Sequence, residues 1–486
     1  MAWTMARPWV FPVALDPGSQ LPIFLQIARA ISADIRRGRL RPGAVLPGSR
    51  SLARSLDVHR NTVLASYREL KDGGWVVSAQ RSLRVSEAIP AQAVRPHPRA
   101  RTKPTTGFDL VPARLSQEMS VPDARSRLPD GGLPDLRLVP VDLLARAYRR
   151  ALRAKTTSAL GYGSGRGSTS LRHALAALLS EMRGLACDED DVVITSGSQM
   201  ALDLVARALV RPGDVVAVEN PGYPAAWDTL LLAGAELVPI DVDHEGLRVD
   251  QLEALAATRP LRAVYTTPHH QFPTTVSLSP ARRIALLALA RARRIAIIED
   301  DYDFEFHYAG RPVLPLASAD DAGVVIYLGT LSKILAPGVR LGFVAGPRSL
   351  LDELAARRAR LDRGNPAMER AIGELLEDGL VRRHARKMRR LYEGRRDALS
   401  EALQRELGRV VSFDVPAGGM SIWLTVDAKV DVEAWLQRAR AKGTSFLTGR
   451  AFDFHDRPCP TIRMGFSSLD ERELQNAVRR MRAALG

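Results

Sequence analysis

Beyond Leu138, short apolar segments alternate with longer amphipathic ones, and this alternation limits the possible folds more than any other feature of the chain. Apolar segments of strand length predict β-strands at Val192 to Thr195, Val215 to Glu219, Ala263 to Thr267, Ile295 to Glu299 and Val324 to Leu328. Helical patterns such as Ser198 to Val210 and Pro280 to Arg293 lie between them. Strands that are connected through helices form parallel sheets, so the sequence predicts an α/β fold with a mostly parallel sheet.

The two ends of the chain follow other patterns, as expected for 486 residues, which exceed one ordinary core. From Leu350 onward the sequence is strongly helical and rich in arginine, with candidate strands at Ser421 to Leu424 and Thr461 to Gly465. This region predicts a smaller C-terminal α+β part. We expect the parallel sheet and this C-terminal part to belong to one domain that spans residues 130–486.

The N-terminal region has the pattern of a winged helix-turn-helix. Apolar residues recur at helical spacing before Gly38, at Phe24, Ile27, Ile31 and Ile35. A short helix pattern ends at Asp57, and a second runs from His59 to Gly73. Candidate strands at 75–77 and 83–85 follow them. Two short helices with a tight connection and a following hairpin are typical of this DNA-binding fold.

The distribution of charge supports nucleic acid as a partner. The chain carries a formal net charge of +15. Residues 17–86 contain 12 Lys or Arg and 4 Asp or Glu, a net charge of +8 in about a seventh of the chain. Such a concentration favours a DNA-binding domain at 17–86. Residues 87–129 are rich in Pro, Ala and Arg without a sustained period, and we interpret them as a semi-rigid linker.

Several classes of protein are disfavoured. Cys187 and Cys459 are far apart and have no partners at metal-ligand spacing, so neither a disulfide framework nor a zinc site is expected. The same cysteine usage predicts the reducing cytoplasm, and we expect no membrane span, because no run of 18 apolar residues occurs. The paired His269 and His270 are interpreted as hydrogen-bonded structure, and no metal is assigned.

One segment places a lysine just after a buried strand. In Ile326 to Gly342, Lys333 is preceded by the hydroxyl residues Thr330 and Ser332 and followed seven residues later by Arg340. A desolvated lysine amine with a lowered pKa can form a Schiff base with an aldehyde. The two hydroxyls and the guanidinium are groups that can hold a phosphate.

Two further segments complete the expected site. The apolar strand Ile297 to Glu299 ends in a run of acids, so Asp300 can supply a carboxylate to a pyridine nitrogen and Tyr302 can reach a phenolic oxygen. Thr195 to Gln199 runs from a strand into a helix, where the amides of Ser198 and Gln199 would face an anion. Together the segments predict a lysine, a pyridinium partner and a phosphate cup.

Candidate DNA contacts lie at the start of two short helices. Arg60, Asn61 and Thr62 open the second helix, and their side chains suit contacts with bases and phosphates from a helix N-terminus. Arg50 opens the preceding helix and suits a phosphate contact.

With the motifs at 161–163, 220–223 and 268–273, the chain resembles the MocR/GabR subfamily of GntR-type regulators. That family joins a GntR winged helix-turn-helix to a fold-type-I aminotransferase domain, with a mostly parallel sheet of the seven-stranded type. The resemblance implies pyridoxal 5'-phosphate on Lys333, Asp300 at the ring nitrogen, Tyr302 at the phenolic oxygen and Tyr223 stacked on the ring. It places the phosphate among Ser198, Gln199, Thr330, Ser332 and Arg340.

The resemblance also implies an effector site and a homodimer. Arg463 matches the position that binds a substrate carboxylate, and Tyr162 would reach into the neighbouring subunit's site. The family dimer is domain-swapped. This chain departs from the family at Thr275, where a glycine is usual, and at the wing tip, residues 79–82, which lacks the usual glycines.

The leading functional hypothesis is a transcriptional regulator that binds double-stranded DNA. Pyridoxal phosphate would form an aldimine on Lys333, and an amine or amino-acid effector, or the cofactor itself, would change how the dimer engages DNA. The alternative is a catalytically active aminotransferase that carries a DNA-binding module. The residues for proton transfer at Cα are present, so residual transaminase activity is compatible with the sequence.

Overall fold

The structure is a computed structural model that describes residues 15–16, 18–19, 21–79, 82–88, 132–153, 159–310 and 313–485. Contacts divide the chain into two compact units, Met1–Val111 and Pro112–Gly486. The predicted linker falls almost entirely within 89–131, outside the described residues. Among the helices in the described ranges, none is long and apolar enough to cross a membrane.

The first unit has the predicted order of three helices and a hairpin. Its helices are α1 (Ile23–Arg36), α2 (Ser49–Ser55) and α3 (Arg60–Asp72), and its strands are β1 (Val76–Ala79) and β2 (Ser82–Val85). The strands pair antiparallel, from Val76 opposite Val85 to Ala79 opposite Ser82. The predicted apolar face of α1 is buried at Ile27, Ile31 and Ile35. The tip of the wing, Gln80 and Arg81, lies outside the described residues.

The second unit contains a large sheet with helices packed around it. Its strands are β3 (Val192–Thr195), β4 (Val215–Asn220), β5 (Glu236–Asp243), β6 (Gly246–Leu247), β7 (Leu261–Thr266), β8 (Ala296–Asp301), β9 (Val325–Thr330) and β10 (Gly342–Ala345). The helices of this part are α4 (Val141–Arg153), α5 (Thr169–Arg183), α6 (Ser198–Leu209), α7 (Pro224–Leu232), α8 (Val249–Thr258), α9 (Pro280–Arg293), α10 (Arg348–Leu361) and α11 (Pro366–Glu377).

The large sheet has the strand order β3-β10-β9-β8-β7-β4-β5-β6. Strands β9, β8, β7, β4 and β5 run parallel, while β10 is antiparallel to both of its neighbours and β6 is antiparallel to β5. The sheet therefore matches the predicted mostly parallel, seven-stranded type, with the two-residue β6 as an added edge. Buried side chains on both faces explain why its strands read as continuous apolar runs.

The C-terminal part is a smaller antiparallel sheet covered by helices. Strands β11 (Val411–Ser412), β12 (Ser421–Val426), β13 (Leu447–Thr448) and β14 (Thr461–Gly465) are ordered β11-β12-β14-β13. Helices α12 (Leu380–Leu407), α13 (Val432–Ala441) and α14 (Glu471–Ala483) accompany them. One apolar cluster joins α12, α14 and the strands, with Trp435 fully buried in it. This is the α+β part that the sequence predicts.

Candidate functional site

The carboxyl ends of β8 and β9 bring the acidic segment and the lysine segment together. The two strands are parallel neighbours, with Asp300 opposite Leu328 and Asp301 opposite Gly329. Side chains that follow parallel strands meet at one edge of a sheet, where ligands bind in α/β folds. The structure therefore assembles the predicted lysine and its acidic partner at this edge.

Lys333 is half-buried, four residues after Gly329 near the end of β9. Burial lowers the pKa of its amine to about 8, and the Arg463 guanidinium acts in the same direction, whereas Asp303 and Asp300 oppose the shift. An amine with this pKa is substantially neutral near pH 8, which is the form that attacks an aldehyde. The environment of Lys333 thus suits a reactive amine.

Asp300 has one carboxylate oxygen in use and one without a partner. The Tyr265 hydroxyl donates a hydrogen bond of 2.7 Å to its Oδ2. Within the described ranges Oδ1 has no hydrogen-bond partner, although Asp300 is only 7% exposed. Burial raises the pKa of Asp300 to about 6, while Tyr265 and Lys333 lower it. Buried acceptors in proteins almost always have a donor, and the N–H of a pyridinium ring could donate to Asp300 Oδ1.

A cup for an anion is built from the start of α6 and the segment after Lys333. Gly197 precedes α6 with a φ of 93°, and α6 has no side-chain cap there among the described residues. A Cβ on Gly197 would lie 3.3 Å from an Arg340 guanidinium nitrogen, and one on Gly342 would lie 2.8 Å from the Ser198 amide nitrogen. Because neither glycine has a side chain, the Arg340 guanidinium and the uncapped amides of α6 lie close together. This arrangement suits a phosphate.

The polar side chains around this cup are partly committed to the fold. The Gln199 amide donates to the Ala225 carbonyl at 3.0 Å and also bonds Thr229, so its backbone N–H is the group left for an anion. The Thr330 hydroxyl accepts from the Ser332 amide at 3.1 Å. Ser332 is half-buried and Arg340 is exposed.

Arg463 lies in the middle of β14, between β12 and β13. It is 3% exposed, and its Nε and Nη1 have no hydrogen-bond partner in the part of the chain that the structure describes. The guanidinium lies 4.5 Å over the ring of Phe272. Burial lowers the pKa of Arg463, and Tyr302 and Asp303 oppose this effect. A buried guanidinium with free donors is suited to a carboxylate.

The aromatic residues of the predicted site gather around Phe272. The rings of Tyr223 and Phe272 are 5.0 Å apart in an edge-on arrangement, and those of Phe272 and Tyr302 are 6.0 Å apart. The Tyr302 hydroxyl donates to the His270 carbonyl at 2.9 Å. Burial raises the pKa of Tyr223 to about 12, so this phenol stays protonated.

Tyr162 is the predicted site residue that stands apart from this buried group. It is 93% exposed, and the Arg363 guanidinium lies 5.7 Å from its ring. The chain after Tyr162 is anchored, because Arg358 donates to the Ser164 and Gly165 carbonyls at 2.9 and 3.2 Å. Tyr162 is thus an exposed aromatic residue on a fixed segment.

Three residues of the site carried no assigned role in the sequence analysis. Phe272 contacts Tyr223, Tyr302 and Arg463, and Tyr265 donates to Asp300. Asp303 is buried, with Oδ1 2.7 Å from His270 Nδ1 and with no partner for Oδ2 among the described atoms. Asp303 belongs to the same run of acids as Asp300, which is the signal that could have indicated it.

Thr275, the predicted departure from the family, has a left-handed backbone with a φ of 65°. This region favours glycine, and a β-branched residue there is strained. The threonine therefore keeps the backbone conformation that a glycine would adopt freely.

In the first unit, the candidate DNA contacts lie at neighbouring helix starts. Arg50, Arg60 and Asn61 are exposed and Thr62 is half-buried. Arg60 Nε donates to Ser49 Oγ at 3.2 Å, which links the first residues of α3 and α2. The Tyr67 hydroxyl donates to the Pro47 carbonyl at 2.7 Å and holds α3 against the segment before α2.

The chain matches two family models. Residues 24–82 match "Bacterial regulatory proteins, gntR family", and residues 133–481 match "Aminotransferase class I and II". The MocR rhizopine catabolism regulatory protein of Rhizobium meliloti, described as probable, is 30% identical over 97% of this chain and 95% of its own length. The regulator TauR of Rhodobacter capsulatus is 32% identical over 97% and 98%, respectively.

The fold of the second unit is that of solved aminotransferases. The multiple substrate aminotransferase of Thermococcus profundus is 34% identical, with a TM-score of 0.69 over 74% of this chain and 92% of its own. The cofactor of this fold is pyridoxal phosphate, and the free Asp300 oxygen, the lowered Lys333 pKa and the Arg340 cup fit it. Because this chain carries both domains and is similar to both regulators over nearly their full length, it belongs to the MocR/GabR subfamily of GntR regulators and is a pyridoxal-phosphate-dependent, DNA-binding transcriptional regulator.

Proposed function

We propose that the protein senses an amino acid or a related amine at Lys333 and converts its binding into a change in DNA affinity. The observation that carries this proposal is Arg463, a buried guanidinium with two free nitrogens among the described residues, which interacts electrostatically with Lys333. An α-amino acid presents an amine and a carboxylate on one carbon. The pair of Lys333 and Arg463 matches these two groups.

The cofactor is proposed to be held at both of its ends. Pyridoxal phosphate, when bound, supplies an aldehyde that can exchange the lysine amine for the amine of a ligand. Lys333 would be the attachment point, Asp300 would accept from the ring nitrogen, Tyr302 would donate to the phenolic oxygen and Tyr223 would cover the ring. The phosphate would be held by the amides of Ser198 and Gln199, the hydroxyls of Thr330 and Ser332, and Arg340.

A homodimer is proposed to complete the effector site. Tyr162 is exposed in a single chain although its segment is anchored by Arg358, so it is available to reach the effector site of a second subunit. In this proposal residues 17–86 bind DNA, 87–129 link the domains, and 130–486 bind cofactor and effector. Binding to the chromosome would place the protein in the cytoplasm.

The proposed DNA contacts are Arg60 and Asn61 to bases and Arg50 and Thr62 to phosphates. A helix N-terminus in the major groove can place such side chains at base edges. Two winged helices in a dimer would read two half-sites. The effector can shift this equilibrium only by as much as its affinity differs between the two states of the dimer.

The proposal is tested with the full chain, loaded with pyridoxal phosphate, on a DNA fragment selected by the protein from genomic DNA. Affinity is measured with and without each amine of a panel, in wild type and in Lys333→Ala. We expect at least one amino acid to change the DNA affinity of wild type and to leave Lys333→Ala unchanged. An equal response of both proteins would refute sensing at Lys333.

The DNA contacts have a matched control on the same helix. Arg60→Ala should weaken binding to the selected fragment by about 5- to 150-fold, as expected for a lost base contact of about 1–3 kcal/mol. Arg68→Ala removes the same charge from an exposed position later on α3 and should have a small effect. Equal losses in both variants would show that charge alone matters at Arg60.

The alternative, a working aminotransferase, is favoured by one observation. Burial lowers the pKa of Lys333 to about 8, and the buried Asp303 and Asp300 act on it electrostatically, as expected for a lysine that moves protons. Product is therefore measured with an amino donor and a keto-acid acceptor. We expect no more than one keto acid per subunit, whereas sustained formation over many cycles would favour the enzyme.

A further inference from the structure

Three histidines gather beside the proposed effector site. His269 and His270 follow β7, and His307 follows β8. One ring nitrogen from each lies within 4.8 Å of the others. His269 and His270 are 3% and 2% exposed, while His307 is half-buried. The residues come from two separate segments, so the cluster exists only in the folded chain.

Hydrogen bonding explains only part of this cluster. His270 Nε2 and His307 Nδ1 are 3.3 Å apart, a distance that an N–H···N bond would satisfy. Both ring nitrogens of His269, however, are buried and have no partner among the residues described. A buried imidazole with neither nitrogen satisfied requires another explanation, because an unmade hydrogen bond in a protein interior costs about 1–3 kcal/mol.

The geometry also matches a metal ion, which would in addition engage His269. Zinc bound to histidine nitrogens at about 2.0–2.1 Å in a tetrahedron separates two ligand atoms by roughly 3.3–3.4 Å. The distance of 3.3 Å between His270 Nε2 and His307 Nδ1 equals this tetrahedral edge. One nitrogen of His269 lies within 4.8 Å of these two atoms, and metal binding would require it to move to the same separation.

The surroundings also have the form of a ligand site. Asp303 Oδ1 lies 2.7 Å from His270 Nδ1, so the carboxylate orients the ring and leaves Nε2 as the nitrogen with a lone pair. Metal-bound histidines commonly have such a carboxylate on their second nitrogen. A Cβ on Gly418 would lie 2.0 Å from His270 Nε2, so the glycine keeps a side chain away from this nitrogen. An isolated antiparallel bridge between His307 and Gly418 holds the backbone of His307 beside this glycine.

We propose that His269, His270 and His307 form a binding site for a divalent late transition-metal ion, with Zn²⁺ as the best fit. Imidazole is a ligand that Zn²⁺, Ni²⁺ and Cu²⁺ accept well. Three protein ligands leave a fourth position for water or a small ligand. His307 is the partly exposed member and provides the side from which the ion enters.

The test uses the full chain without a histidine tag, loaded with pyridoxal phosphate. Co²⁺ serves as the spectroscopic probe and Zn²⁺ as its competitor, with affinity measured against a chromophoric chelator. We expect one ion per subunit and a tetrahedral Co²⁺ spectrum that Zn²⁺ abolishes. His307→Ala should weaken binding at least about 10- to 100-fold, the loss that even an outer partner of a metal site produces.

Two further variants keep the result interpretable. His269→Phe retains the stacked ring against Phe304 and removes only the nitrogens, so it should fold and lose affinity as His307→Ala does. His173→Ala removes an exposed histidine that lies 3.1 Å from Glu189 and should bind like wild type. Absence of stoichiometric binding in wild type, or equal affinity in all these proteins, would overturn the proposal.

Discussion

Replacing Arg463 by methionine should have opposite effects on effector binding and on the stability of the effector-free protein. The guanidinium is buried with Nε and Nη1 free of partners within the described ranges, and its contact with Phe272 is a cation–π interaction at 4.5 Å. An effector carboxylate would satisfy these nitrogens. Methionine fills a similar space and removes the donors and the charge.

The magnitudes follow from these contacts. Removing one partner of a buried, hydrogen-bonded charge pair costs about 2–5 kcal/mol, so the affinity for an amino acid should fall about 30- to 5,000-fold. In the free protein, each unsatisfied buried donor costs about 1–3 kcal/mol, and the lost cation–π contact offsets about 0.5–2 kcal/mol. The effector-free variant should therefore be as stable as wild type or more stable.

The assay compares each effector with its decarboxylated amine. Kd is measured from the cofactor absorbance during titration, and thermal unfolding is measured without effector. In wild type the amino acid should bind much more tightly than the amine, and in Arg463→Met this preference should disappear. Arg457→Met, at an arginine that bonds Asp453 at 2.8 Å, should keep the preference. If Arg463→Met weakened both ligands equally, carboxylate binding by Arg463 would be refuted.

Three further predictions concern the cofactor and the backbone. Asp300→Asn should weaken retention of pyridoxal phosphate about 10- to 150-fold in dialysis, because a charged hydrogen bond contributes about 1.5–3 kcal/mol; unchanged retention would contradict its role. The rate of cofactor attachment should rise with pH, with a midpoint near the Lys333 pKa of about 8, since only the neutral amine attacks. Asp303→Asn should lower this midpoint, because the carboxylate raises the lysine pKa, and an unchanged midpoint would exclude that electrostatic interaction. Thr275→Gly should raise the unfolding temperature. Relief of the left-handed backbone strain gains about 1–2 kcal/mol, whereas the added entropy of glycine in the unfolded chain costs about 0.4–1 kcal/mol. A lower unfolding temperature would show that Thr275 is not strained.

The elements that the sequence predicts best are those with a strong period and clear ends. The bounds of β3, β14 and α9 agree with the predictions residue for residue. In α9, Pro280 follows the capping residue Ser279, whose hydroxyl accepts from the Arg282 amide. Such end signals are local, and local signals are what a sequence shows directly.

The sequence analysis missed strands β5, β6, β10, β11 and β13, of which β6, β11 and β13 have only two residues each. Strand β5 contains Pro239, which cannot donate to a sheet, and its acids interrupt the apolar run. It lies near the edge of the sheet, where only one partner, β4, pairs along most of its length. Strand β10 has four residues, and its antiparallel direction is a result of the chain path.

The site was predictable where its residues follow one strand and not where they come from distant segments. Asp300 and Lys333 each follow an apolar strand, so their roles were expected from order along the chain. The contact of Phe272 with Arg463 joins the segment after β7 to β14, and no local sequence pattern predicts this contact. The same holds for His307, whose position beside His270 depends on how the segments after β7 and β8 pack.

The unsatisfied groups bear on whether the second unit works as a sensor. Asp300 Oδ1, Asp303 Oδ2 and two nitrogens of Arg463 are buried without partners in the described structure, and each unsatisfied group lowers the stability of the fold. A ligand that satisfies these groups raises the free energy of unfolding by RT ln(1 + [L]/Kd). A sensor uses this free energy to favour one dimer state, so its complex must persist, whereas an enzyme must release product. If cofactor and effector raised the unfolding temperature without changing DNA affinity, the stabilisation would serve binding alone, and the aminotransferase alternative would explain the site better.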